Sequence, residues 1–109
     1  IRCFLKLAGT EYMPDFTDKI LLLEGLNSTS AQVVTYLCQL KQMGVFKKIN
    51  GVLLGTFTKL DQEIFVPSVE ELIQRYAGEE LPIARTMEIG HGSDSKCVMI
   101  GKSLCLKEQ

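Results

Sequence analysis

Apolar residues along this chain fall into runs and into spaced sets, and the two predict different elements. Ile20-Leu21-Leu22-Leu23 is an unbroken aliphatic run that stops at an acid, Glu24. A run without alternation predicts a strand covered on both faces, which holds the carboxylate at its end on rigid backbone. Val52-Leu53-Leu54-Gly55-Thr56-Phe57 repeats the pattern and predicts a second buried strand over Gly51 to Thr58. Its Gly55 marks a bulge or a close approach by another backbone. Between the two, Val33, Val34, Leu37, Cys38 and Leu40 recur at helical spacing behind Asn27-Ser28-Thr29-Ser30, whose short polar side chains cap helix starts. The helix expected is Ala31 to Met43, stopped by Gly44, after which Val45-Phe46 tucks back onto the core and Asn50-Gly51 turns the chain.

The second half follows the same logic. Ser68-Val69-Glu70-Glu71 fits a capping box and opens a helix from Val69 to Ala77 that ends at Gly78. Leu81-Pro82-Ile83-Ala84 reads as a short strand, and Cys97 to Ile100 with Ser103 to Leu106 flank Gly101-Lys102 as a closing hairpin. At the other end, Cys3 to Ala8 reads as the last turns of a helix with Gly9 as a left-handed stop, and Tyr12-Met13 is extended ahead of Pro14. Two main helices among about five short strands predict an α/β domain with a mixed sheet.

Composition narrows the functional classes. At 109 residues with 46% hydrophobic and 23% charged residues, the chain has the make-up of one folded domain. Twelve basic residues against thirteen acidic ones leave a net charge of −1, so there is no field to hold a polyanion, and nucleic acid is not an expected partner. No apolar stretch reaches the roughly 20 residues that span a bilayer. Cys3, Cys38, Cys97 and Cys105 lack C-x-x-C spacing, so free thiols in a reducing compartment are expected rather than a zinc site or a disulfide framework. The chain opens on Ile1 without a methionine, and a piece of a longer protein is the expectation.

The candidate chemistry rests on Glu24 and on His91, the only histidine, which sits between Gly90 and Gly92. An imidazole flanked by glycines lies on backbone that another molecule can approach closely. With a rigidly held carboxylate it supplies two members of a Ser-His-acid system, the acid orienting the imidazole and the imidazole deprotonating a hydroxyl. Taken as residue types alone, a histidine in a Gly-rich turn and a strand-end glutamate also fit two solvated surface residues. No Gly-x-Ser-x-Gly elbow supplies a nucleophile.

The order of these pieces resembles the C-terminal domain of the LD-carboxypeptidases, serine peptidases of murein recycling. Leu7-Ala8-Gly9-Thr10 with Tyr12-x-Pro14 looks like the family's interdomain junction, and Ile20-Leu21-Leu22-Leu23-Glu24 like the strand bearing its catalytic glutamate. Leu37-x-x-Leu40-x-x-x-Gly44-Val45 is similar to the helix that follows, Gly51-Val52-Leu53-Leu54-Gly55-x-Phe57 to the next strand, and Gly90-His91-Gly92 to the loop of the catalytic histidine. The resemblance implies a single swivelling β/β/α-type domain spanning the chain, with residues 1–10 as the junction from a Rossmann-like N-terminal domain that lies outside it and carries the nucleophilic serine. It implies that Glu24 and His91 are catalytic, that the enzyme is cytoplasmic, and that the substrate is a murein tetrapeptide whose L,D-amide bond is cleaved. Neither a metal nor an organic cofactor is implied.

Two departures from the family pattern bear on specificity. Gly25-Leu26-Asn27 follows Glu24 where the family commonly carries more acidic residues, and Met99-Ile100-Gly101 lacks the proline that often opens the final hairpin. Three other readings are carried forward. One is a microcin-immunity type of amidase acting on aminoacyl-nucleotides. Another is a self-contained hydrolase using Ser28, Ser30, Ser93 or Ser103, and the last is a non-catalytic binding or dimerising domain. A domain built to meet another also leaves apolar surface, for which Val45, Phe46 and Cys3 to Leu7 are the candidates, and homodimerisation is a corollary.

Overall fold

The computed structural model describes residues 1–107. A short helix α1 (Arg2–Leu5) is followed by strand β1 (Ile20–Gly25), helix α2 (Ser30–Gln42), strand β2 (Gly51–Phe57), helix α3 (Val69–Ala77) and strand β3 (Ile83–Arg85), with single 3-10 turns at Val45–Lys47 and Leu60–Gln62. The strands form one parallel sheet in the order β1-β2-β3, with Leu21 opposite Val52 and Val52 opposite Ile83. Parallel pairing demands long return connections. Here α2 and α3 supply them, and the two helices pack against each other.

Side chains alternate between the faces of a strand, so the register decides which apolar residues meet the helices. Leu21 and Leu23 of β1 and Val52 and Leu54 of β2 share one core with Val33, Leu37 and Leu40 of α2 and Leu72 and Ile73 of α3. Leu22, Leu53 and Ala84 are aligned across the sheet on its other face, outside that core. Leu53 is buried there, whereas Leu22 and Ala84 are half-exposed. β2 is therefore the strand covered on both sides, as its sequence predicts. β1, with an equally apolar sequence, is covered fully on one side only, because it lies at the sheet edge where fewer neighbours reach its second face.

Both main helices begin as their sequences dictate. Thr29 and Gln32 form a reciprocal capping box at α2, and Ser68 and Glu71 form another at α3. Gly44 closes α2 in the left-handed region at φ 77°, a conformation that costs other residues a clash with their own Cβ. Ser68 was expected to cap α3, while the choice of Thr29 among four capping candidates is made by the structure.

Three expectations are corrected. The hairpin over Cys97 to Ile100 and Ser103 to Leu106 does not form: the segment has no strand, and Met99 and Ile100 are exposed. A lone hairpin is marginal in water unless it covers an apolar face, and this one meets none. The sheet is accordingly parallel throughout, not mixed, among the described residues. Val45 and Phe46 are buried in the core and Leu5 with them, so they are not a surface left for another domain. The most exposed large apolar side chains are instead Tyr12, Ile64, Phe65, Met87, Met99 and Ile100. The four cysteines are free thiols, as expected.

A candidate acid and imidazole pair at the strand ends

Glu24 sits one residue before the end of β1, where the ladder with β2 slips. Leu23 pairs with Leu54 but Gly25 pairs with Phe57, so Gly55 and Thr56 together lie opposite Glu24. This is a β-bulge, and an extra residue at such a point bends the strand and re-aims the side chain beside it. Pairing resumes beyond it, with the amides of Thr58 and Lys59 donating to the carbonyls of Gly25 and Leu26, both at 3.0 Å. The carboxylate is thus carried on backbone bonded on both sides of the slip.

His91 reaches the same place from the other edge of the sheet. After β3 the chain continues along β2, with Thr86 N donating to Leu54 O and Thr56 N donating to Ile89 O, each at 2.8 Å. The next residues fold into a compact loop closed by the amide of Lys96, which donates to the Glu88 carbonyl at 2.7 Å. The Lys96 ammonium also bonds the Glu88 carboxylate, and that hydrogen bond and charge hold it above the ordinary lysine value. The pair is exposed, so it steadies geometry more than it adds stability. Inside the loop Ser95 Oγ donates to the Gly90 carbonyl at 2.8 Å and its amide to the Gly92 carbonyl at 3.2 Å.

The result is contact between the two residues singled out from sequence: His91 Nδ1 lies 2.7 Å from Glu24 Oε2. That oxygen is buried and has no aligned hydrogen bond, so the contact is one of close approach rather than a linear N–H···O bond. Loose geometry of this kind is common in unliganded catalytic sites and tightens when the site is occupied. Because Nδ1 faces the acid, Nε2 is the nitrogen left for a second partner. The imidazole is 46% exposed, open enough to meet one.

The pair lines a cleft of about 240 Å³ together with Arg2, Gly25, Asn27, Ser28 and Tyr36. Clefts at the carboxyl ends of parallel strands are where open α/β sheets bind ligands. Of the four serines considered as internal nucleophiles, Ser28 lines this cleft and the other three do not. Residues that the sequence reading missed are Thr56, Ser95, Glu88 and Lys96, all of which support the His91 loop. Ser93-Asp94-Ser95 is ordinary turn composition, and only Gly55 carried a legible signal, the close approach of another backbone that its contact with the Ile89 segment realises.

Fold and geometry together define the class: an α/β domain that presents an acid and an imidazole side by side near the ends of parallel strands. The chain belongs to the LD-carboxypeptidase C-terminal domain family, whose model matches residues 1–106. It is 27% identical over 96 residues to a protein of Synechocystis sp. (strain ATCC 27184 / PCC 6803 / Kazusa) named "Putative carboxypeptidase slr1534", covering 85% of this chain and 32% of that one. Among solved structures it is similar to muramoyltetrapeptide carboxypeptidase from Oxalobacter formigenes, at 25% identity and TM-score 0.67 over 83% of this chain and 33% of that one. The fold is shared with the microcin C7 self immunity protein MccF, also solved in complex with aspartyl sulfamoyl adenosine, at 24% identity and TM-score 0.70 over 78% of this chain and 26% of that one. The chain thus spans about a third or less of the length of the proteins it matches.

Proposed function

We propose that this chain is the C-terminal catalytic half of a cytoplasmic serine carboxypeptidase, with Glu24 and His91 as two members of a Ser-His-Glu triad whose serine lies on an N-terminal domain of the same protein. The observation that carries the reading is the 2.7 Å approach of His91 Nδ1 to Glu24 Oε2 in the lining of a cleft. With Nδ1 turned to the acid, His91 Nε2 takes the proton of the serine hydroxyl as its oxygen attacks the amide carbon. Glu24 holds the imidazole in that orientation and stabilises the imidazolium that forms. The same proton then passes to the departing amine, leaving an acyl-serine ester that water hydrolyses.

The substrate proposed is a murein tetrapeptide, cleaved at the amide joining an L-centre to its terminal D-alanine. Membership of the family and the likeness to a muramoyltetrapeptide carboxypeptidase support it. A second reading has its own support in the fold of MccF: an amidase acting on aminoacyl-nucleotide conjugates. The two separate in one assay series on the protein carrying this chain, with a D-alanine-terminated tetrapeptide and an aminoacyl sulfamoyl nucleoside as competing substrates.

On the preferred substrate, His91→Ala should lower turnover by several orders of magnitude and Glu24→Gln by up to roughly 10⁴, with both variants folded. Ser28→Ala should leave turnover nearly unchanged. Near-normal turnover in either of the first two means that the pair is not the catalytic one, and loss of turnover in Ser28→Ala moves the nucleophile into this domain.

A further inference from the structure

We propose that Gly55 is a positioning residue for Glu24 and His91, with Gly90 as its counterpart on the loop, an inference that rests on reading the pair as partners in proton transfer. Gly55 lies inside β2, where a glycine weakens a strand and needs a reason. Its reason is space. A Cβ at this position would fall 2.4 Å from the carbonyl oxygen of Ile89 and 3.2 Å from the Cβ of Glu24. One of those obstacles is backbone, which cannot swing aside as a side chain can.

The two obstacles belong to the two halves of the site. Glu24 carries the acid, and Ile89 stands two residues before His91 at the point where the loop is bonded to Thr56 N. Gly55 is therefore the floor on which both rest, and the thickness of that floor sets how closely the imidazole approaches the carboxylate. A methyl group there must lift the loop off β2, displace Glu24, or both.

Gly90 repeats the device from the loop side. Its φ of 146° lies where L side chains are strained, and a Cβ would fall 1.8 Å from Thr56 Oγ1. That hydroxyl oxygen is buried without a hydrogen-bond partner. Leaving a buried hydroxyl unpaired is unfavourable, so its position is accounted for by packing against the bare face of Gly90 and not by a bond of its own. The bulge in β2 brings Gly55 and Thr56 opposite Glu24 together, and the two contacts fix the loop at successive points.

Gly55→Ala and Gly90→Ala are tested in the whole protein at a temperature where circular dichroism shows each to be folded. The ring signals of His91, identified as those missing from the His91→Gln protein, report tautomer and partner by ¹⁵N-edited NMR. Both alanine variants are expected to move those signals toward a free imidazole and to lower kcat on the D-alanine-terminated tetrapeptide by roughly 10², with KM little changed, since a misplacement of about 1 Å costs that much. A glycine needed only for packing would lower the melting temperature and leave the His91 ring signals of the folded protein as they are. Unmoved signals in folded Gly55→Ala and Gly90→Ala overturn the proposal. Should Gly55→Ala fail to fold, Gly90→Ala, outside the sheet, carries the test by itself. Moved signals with unchanged turnover uphold the positioning role and overturn the catalytic reading of the pair, so the two inferences fail separately.

Discussion

Arg85, the last residue of β3, directs two guanidinium nitrogens at carboxylates from two other elements. Nη2 bonds Asp61 Oδ2 and Nη1 bonds Glu70 Oε1 at 2.7 Å, while the same Asp61 oxygen accepts the Phe57 amide at 3.0 Å. Burial works against the guanidinium charge, but the bonds to Asp61 and Glu70 outweigh it and hold the group above its ordinary value. One side chain thus ties β3 to the end of β2 and to the first turn of α3, just before the chain leaves for the His91 loop. Arg85→Gln removes the charge and is expected to cost about 1.5 to 3 kcal/mol, the range for hydrogen bonds to charged partners, read as a lower urea midpoint with an unchanged slope. Nothing in the sequence singles out Arg85. Its partners lie 24 and 15 residues away, and only chain folding makes them neighbours. Glu24 and His91 were legible as candidates because residue type and flanking backbone suit the chemistry. Thr56 was not, because a threonine in a strand is ordinary composition.

The elements differ in how local their causes are. α3 is written in adjacent residues: Ser68 and Glu71 satisfy each other's backbone donors, and Val69, Leu72 and Ile73 place one apolar face on the core. α2 is the same, with Thr29 accepting from the Gln32 amide and Val33, Leu37 and Leu40 fully buried. Ser68→Ala and Thr29→Ala should each lower stability by about 1 kcal/mol, measured by thermal or urea unfolding, because each leaves helix amides unpaired. The two capping boxes share no hydrogen-bond partner, so the losses should add, and a double variant that loses much less than the sum would show the helix starts to be coupled. Strands are less local. Cys97 to Leu106 carries the turn and the apolar residues of a hairpin yet stays irregular, because strand pairing is stable only against a face that needs covering.

At the scale of the whole molecule, one parallel sheet and two helices close a continuous core that draws on every main element, and autonomous folding of the domain is the prediction that follows. The expectation is that residues 1–109 expressed alone unfold in a single cooperative step by circular dichroism, hydrolyse neither candidate substrate, and support hydrolysis when the separately produced N-terminal domain is added. Hydrolysis by the isolated piece that is abolished in Ser28→Ala would overturn the two-domain reading. What the sequence by itself determined about this protein is whatever depends on nearest neighbours along the chain: the existence of both main helices, the Ser68 cap of α3 and the glycine stops, the buried character of β2, the oddity of Gly55, and two residues of types suited to proton transfer. Tertiary structure decided the rest. It chose which apolar strand lies at the edge, left the C-terminal hairpin unformed, slipped the β1 to β2 register opposite Glu24, and laid the His91 loop against the bare face of Gly55. The physical reason is one of range. Capping and periodicity act over three or four residues, whereas the distance between His91 and Glu24 is set by contacts among segments brought together from across the chain, and no local pattern encodes a distance between them.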